Sequence, residues 1–102
     1  MSARKPERKV KDSIKSWLNA NGFYHFSPIG GAFTVHGVPD IVVCARGRFV
    51  GIECKAPGKE GNVTPNQQDH LDRIKAAGGV SLVASSLDEV VQAFVAYGIV
   101  VL

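Results

Sequence analysis

Apolar positions along the chain fall into alternating helical and strand periods. Val10, Ile14, Trp17, Leu18 and Asn21 recur at helical spacing, which predicts a helix from Pro6 to about Asn21 that stops at Gly22. Phe23 to Phe26 reads as a short strand. Ser27 to Gly37 reads as a loop carrying Gly30-Gly31, with a return strand at Ala32 to Val35. Two β-branched runs follow, Ile41 to Cys44 and Phe49 to Cys54, joined by Ala45-Arg46-Gly47-Arg48. A short glycine-containing link between such runs predicts an antiparallel hairpin.

Beyond the hairpin, residues 56–63 are rich in Gly and Pro and form a connector. Thr64-Pro65-Asn66-Gln67 has the pattern of a capping box and opens a helix to about Ala77, before Gly78-Gly79. On that helix Gln68, Leu71 and Lys75 share a face with Ile74 beside it, so Gln68 is expected to point inward or along the core's edge. Val80 to Ala84 is a strand, and Ser86-Leu87-Asp88-Glu89 opens a last helix to Tyr97 with Val90, Phe94 and Tyr97 on one face. The apolar end, Ile99 to Leu102, is expected to join the sheet or to pair with another subunit. The order α-β-β-β-α-β-α predicts an α/β fold with a mixed sheet flanked by helices.

At 102 residues the chain reads as a single domain over 1–102. Hydrophobic content of 45% and charged content of 21% are ordinary for a globular chain. No apolar run approaches membrane-spanning length. The basic start is not followed by the apolar core of a signal peptide, so the expected location is cytoplasmic. Net charge is +3, too mild to identify a nucleic-acid partner by itself. Its distribution is more informative: Arg4, Lys5, Arg8, Lys9, Lys11 and Lys15 crowd the N-terminus. The two cysteines stand about 17 Å apart along the hairpin, too far for a disulfide, and no Cys-x-x-Cys pair suggests zinc.

The hairpin carries the chemistry. With Cys44 facing Phe49, Val43 faces Val50, Val42 faces Gly51, Ile41 faces Ile52, and Asp40 faces Glu53. Opposed side chains share a face at roughly 5 Å between Cβ atoms, and like charges so placed repel. Lys55 lies on the face of Glu53, and Cys54 on the other. A shared proton, a basic neighbour or a divalent cation would offset the repulsion; Mg²⁺ commonly takes one or two carboxylates and keeps water and phosphate as its other ligands. Glu7 continues the apolar stripe of the first helix, which reads either as a glutamate complementing the helix dipole or as a third carboxylate reaching toward Asp40 and Glu53. His36 is the histidine nearest this segment and a candidate phosphate contact, and Lys59 leaves the same face in the connector.

Pro39-Asp40 followed by Glu53-Cys54-Lys55 resembles the PD-(D/E)XK nuclease signature. With GVPD, the continuation ECKAPG and the helix start TPNQQ, the chain from Glu7 to about Ser85 is similar to the virus-type replication-repair nuclease (VRR-NUC) family. The resemblance implies a restriction-endonuclease-like core and a metal-dependent, structure-specific DNA endonuclease. It implies Mg²⁺ or Mn²⁺ held by Asp40 and Glu53, with Glu7, directly or through water, and the carbonyl of Cys54 as further ligands. It gives Lys55 the water-activating role and Gln68 a supporting one. Arg4, Lys5, Arg8, His36 and Lys59 are the expected DNA contacts. Small stand-alone members resemble Holliday-junction resolvases, which implies branched DNA as substrate and a homodimer, since a symmetric junction needs two cuts. The last strand and the first helix are the candidate interfaces. Flap or fork cleavage, or a non-catalytic DNA-binding or partner-binding module on the same scaffold, are the alternative readings.

Overall fold

The structure is a computed structural model that describes residues 5–29 and 35–101. Helix α1 spans Pro6–Ala20, strand β1 Tyr24–Phe26, β2 Ile41–Ala45, β3 Arg48–Cys54, helix α2 Pro65–Ala76, β4 Val80–Ala84 and α3 Leu87–Ala96. The order is the predicted one. The sheet runs β1-β2-β3-β4; β1, β2 and β3 pair antiparallel, and β4 joins β3 parallel after the α2 crossover.

The predicted hairpin register is present residue for residue from Ile41↔Ile52 to Cys44↔Phe49. The loop is tighter than the expected four residues. Ala45 pairs with Arg48, leaving Arg46 and Gly47 as a two-residue turn with φ of 51° and 80°. Two left-handed residues make the turn whose twist matches the strands. The strain of a left-handed arginine is about 1 kcal/mol, and its Nε donates to the carbonyl of Ile99 at 2.6 Å. Arg48 likewise donates through Nη1 to the carbonyl of Tyr97 at 3.0 Å.

Alternation in β2 and β3 sorts the two faces. Ile41, Val43, Ala45, Val50, Ile52 and Cys54 are fully buried, in one cluster with Val10, Ile14 and Leu18 of α1 and Val90 and Phe94 of α3. Trp17, Phe23 and Phe94 interlock there, with ring centroids 5.4–6.0 Å apart. On the other face Ile74 of α2 and Pro39 close over Gly51, where an added Cβ would stand 2.8 Å from each side chain. The hydroxyl of Ser81 donates to the carbonyl of Leu71 at 2.7 Å and pins α2 to β4. The remainder of this face is open: Tyr24, Phe26, Ile29, Val35 and Phe49 are all exposed.

Three expectations change. Ile99–Val101 adds no strand; Ile99 is buried and its N–H bonds the carbonyl of Phe94, so the tail folds back onto the end of α3 and is held by the hairpin arginines. Tyr97 is the exposed C-cap of α3 rather than part of its buried stripe. Val35 is not in a strand, and the remainder of the expected return strand, 32–34, lies outside the described residues. Both cysteines are free, as expected. No helix among the described residues is long and apolar enough to cross a membrane.

Candidate active site

Strand β3 ends by carrying two charged side chains into the protein. Glu53 is 2% exposed and Lys55 9%. The backbone N–H of Lys55 continues the ladder to the carbonyl of Ala84 at 2.9 Å, so the lysine starts from a fixed point. Its Nζ stands 3.6 Å from Oε2 of Glu53 and donates to Oε1 of Gln67 at 3.0 Å.

Asp40 arrives from the other strand of the hairpin, one residue before β2. Its Oδ2 accepts the backbone N–H of Cys54 at 2.8 Å, which fixes the carboxylate beside Glu53. The Glu53 carboxyl is pushed up to about 8, by burial first and then by the neighbouring Asp40, while Lys55 pulls it down. Of the three ways to offset two facing acids, the structure shows the basic neighbour, Lys55, and the raised Glu53 carboxyl favours keeping a proton between them. Cys54 points to the opposite face, and burial pushes its thiol up to about 12, with Asp40 and Glu53 adding to the rise.

The glutamine that meets Lys55 is Gln67, not the expected Gln68. Thr64 caps α2 by accepting the N–H of Gln67 at 3.2 Å, and Gln67 Oε1 accepts the N–H of Thr64 at 3.0 Å. The capping box turns Gln67 back over the helix start, where the same oxygen meets Lys55. Gln68 is one helical step, about 100°, further round; it is exposed and donates to Asp72 Oδ1 at 2.8 Å. Gly37 brings the preceding loop to the same helix end, within 2.7 Å of the Asn66 backbone by an added Cβ.

Glu7 lies in the first turn of α1 and shares a cleft of about 240 Å³ with Lys5, Arg8, Lys11 and Asp40. Among the described residues no three His, Cys, Asp or Glu side chains are grouped to hold a metal, and Glu7, in the first turn of α1, meets Asp40 across the cleft. Asp40 and Glu53 suit a hard cation, because two adjacent carboxylates, one raising the other's proton affinity, are a donor pair a divalent ion can take over, with water and phosphate completing the shell.

Of the expected DNA contacts, Lys5 and Arg8 line this cleft. His36 is exposed in the turn before Pro39, and Lys59 is exposed in the connector, where its N–H bonds the carbonyl of Ala56. Arg4 lies outside the described residues. Lys11, which in sequence is one of a general run of N-terminal charge, also lines the cleft; its three-residue spacing from Arg8 puts the two on one flank of the helix.

A solved structure of a VRR_NUC domain protein matches with a TM-score of 0.72, over 93% of this chain and 89% of that one, at 21% sequence identity. No protein-family model matches the chain. No curated protein matches it either. At that identity the likeness is one of fold, and by it the chain has the mixed-sheet α/β fold of a VRR-NUC domain protein.

Proposed function

We propose that the chain is a metal-dependent endonuclease that hydrolyses phosphodiester bonds of branched DNA at the Asp40–Glu53–Lys55 cluster. The observation that carries this reading is the buried Glu53–Lys55 pair at 3.6 Å, set against Asp40 at the rim of the sheet. Burying two charges is expensive unless they serve one another or a ligand. Here they sit on the fold of a nuclease-domain protein.

Asp40 and Glu53 would hold Mg²⁺ or Mn²⁺, with the carbonyl of Cys54 as a further ligand and Glu7 reaching it through water. The ion supplies charge relief on the phosphoryl oxygens and a bound water of lowered pKa. Lys55, kept in place by Glu53 and Gln67, orients the attacking water and opposes the charge that builds on the phosphate. Lys5 and Arg8 position the backbone beside the cleft, with His36, Lys59 and Arg4 as outer contacts.

We assign four-way junctions as the substrate and a homodimer as the working form. The support for a second copy is the open sheet face: Tyr24 at 73% exposure, Ile29 at 83% and Val35 at 64% stand with Phe26 and Phe49 on one side. A contiguous apolar surface of this kind marks an interface more often than bare solvent contact. It replaces the tail and α1 as the candidate interface, since Ile99 is buried and α1 is packed on the core.

The test is a panel of labelled junctions, flaps, forks, nicked duplexes and single strands incubated with Mn²⁺. Paired symmetric cuts in the junction, lost in Asp40→Ala and Lys55→Ala, are the expected result. Cuts confined to flaps or forks would move the substrate. No cutting, together with no Mn²⁺ binding by calorimetry, would leave a non-catalytic DNA-binding module.

A further inference from the structure

We propose that Arg8, Lys11 and Lys15 form a track for the DNA backbone, leading from the Asp40 cleft along the flank of α1 to β1. The inference rests on the nuclease reading above and gives it a direction: one duplex arm lies over α1 and β1, away from the hairpin tip.

The helix phase makes the line. At about 100° per residue, Arg8, Lys11 and Lys15 fall within an arc of roughly 60°, beside the buried stripe of Val10, Ile14 and Leu18. One end is at the site: Arg8 and Lys11 line the cleft with Glu7 and Asp40. The other end is at β1. His25 is lowered first by burial and then by the charge of Lys15, and its Nε2 lies 2.8 Å from Oδ1 of Asn19, four residues along the same flank. From Arg8 to Lys15 the track covers about 10 Å, the rise of about three base pairs.

Four other cations are already engaged. Arg46 and Arg48 bond the carbonyls of Ile99 and Tyr97, Arg73 pairs with Asp69 at 3.7 Å, and Lys55 is inside the site. Among the described residues no ion pair ties Arg8, Lys11 or Lys15 to a carboxylate. Flexible ammonium groups suit sequence-independent contact with phosphates. An anionic membrane surface would also attract such a line, but a surface-binding helix needs an apolar face to insert, and that of α1 is spent on the core.

The experiment measures binding of a labelled four-way junction and a plain duplex across a salt series. It compares wild type with the double variant Lys11→Ala/Lys15→Ala and with a charge-matched control, Lys9→Ala/Lys75→Ala. Lys9 lies on the solvent side of α1 and Lys75 on α2, both exposed. Each lost phosphate contact lowers the slope of log K against log salt by about 0.9, so the track variant is expected to lose about 1.8 while the control stays near wild type. KM for DNA is expected to rise in the track variant and to stay near wild type in the control, and circular dichroism checks the fold. Equal slopes for the two double variants would overturn the track and leave the nuclease reading intact. Wild type that neither binds nor cuts DNA would overturn both. Binding to phosphatidylserine vesicles that the track variant loses, with its DNA slope unchanged, would reassign the line to membranes.

Discussion

Lys55 Nζ and Gln67 Oε1 are 3.0 Å apart, and the same oxygen accepts the N–H that starts α2. The cap of a helix and the ammonium of the site thus share one acceptor. Gln67→Ala removes both bonds. A hydrogen bond to a charged group contributes about 1.5–3 kcal/mol, and a cap about 1 kcal/mol. Cleavage by Gln67→Ala is expected to fall by about one to two orders of magnitude, with a small drop in urea midpoint. Gln68→Ala, which loses only an exposed bond to Asp72, is expected to stay within a few-fold of wild type. Parallel rate and denaturation measurements decide it; a larger defect in Gln68→Ala would reverse the assignment.

How far these features could be read from sequence differs by element. The hairpin register was legible because two short apolar runs are joined by a short link, and that link sets Asp40 opposite Glu53. The choice between Gln67 and Gln68 was not. Both follow the same cap, and what separates them is a side chain turning back over the helix end to satisfy two donors at once. The tail misled for a different reason. Ile99-Val100-Val101 has strand propensity, but its place is set by Arg46 and Arg48 reaching across from the hairpin tip, a contact with no local sequence signal. Glu7 was legible as a cleft residue from its helix phase, while its distance from the carboxylate pair depends on how α1 is set against the sheet.

Glu53 makes stability depend on pH. Its folded carboxyl titrates near 8 against an ordinary value of 4.5. Between those values the unfolded chain releases a proton that the folded one keeps. Stability therefore falls as pH rises from about 4.5 to 8 and levels off above. Glu53→Gln is expected to flatten that part of the profile and to be the more stable protein at pH 8. Mn²⁺ competes with the same proton, so its affinity in wild type is expected to rise across this window. Thermal melts from pH 4 to 9, with and without Mn²⁺, test both; an unchanged slope in Glu53→Gln would remove Glu53 as the source.

Gly51 sets how closely α2 and the loop before Asp40 approach the sheet. A methyl group there meets Ile74 Cδ1 and Pro39 Cγ at 2.8 Å. Overpacking of this kind costs about 1–3 kcal/mol. Gly51→Ala is expected to lower the urea midpoint accordingly and to slow cleavage by shifting Pro39 and with it Asp40. Ile74→Val removes the offending terminal methyl, so the double variant is expected to recover stability; recovery of the rate as well would require Pro39 to return. No recovery in the double variant would mean that Pro39 alone sets the clash.

The open sheet face supplies the last expectation. Phe26 and Phe49 are 51% and 49% exposed, on the side of the sheet that α2 leaves uncovered, and Phe49 stands beside Ile74 in the same depression. A carboxylate in a two-fold interface meets its own copy, so Phe26→Glu and Phe49→Glu each place like charges in apposition as well as removing apolar area. Both variants are expected to be monomeric by light scattering where wild type is dimeric, with folding retained because neither ring is part of the buried cluster. On a four-way junction the monomeric variants are expected to make single unpaired cuts at reduced rate, while plain nicking of a flap changes little. Variants that remain dimeric would place the interface elsewhere on the surface. A wild type that is monomeric at working concentration would separate the junction reading from the cleavage chemistry and leave only the latter.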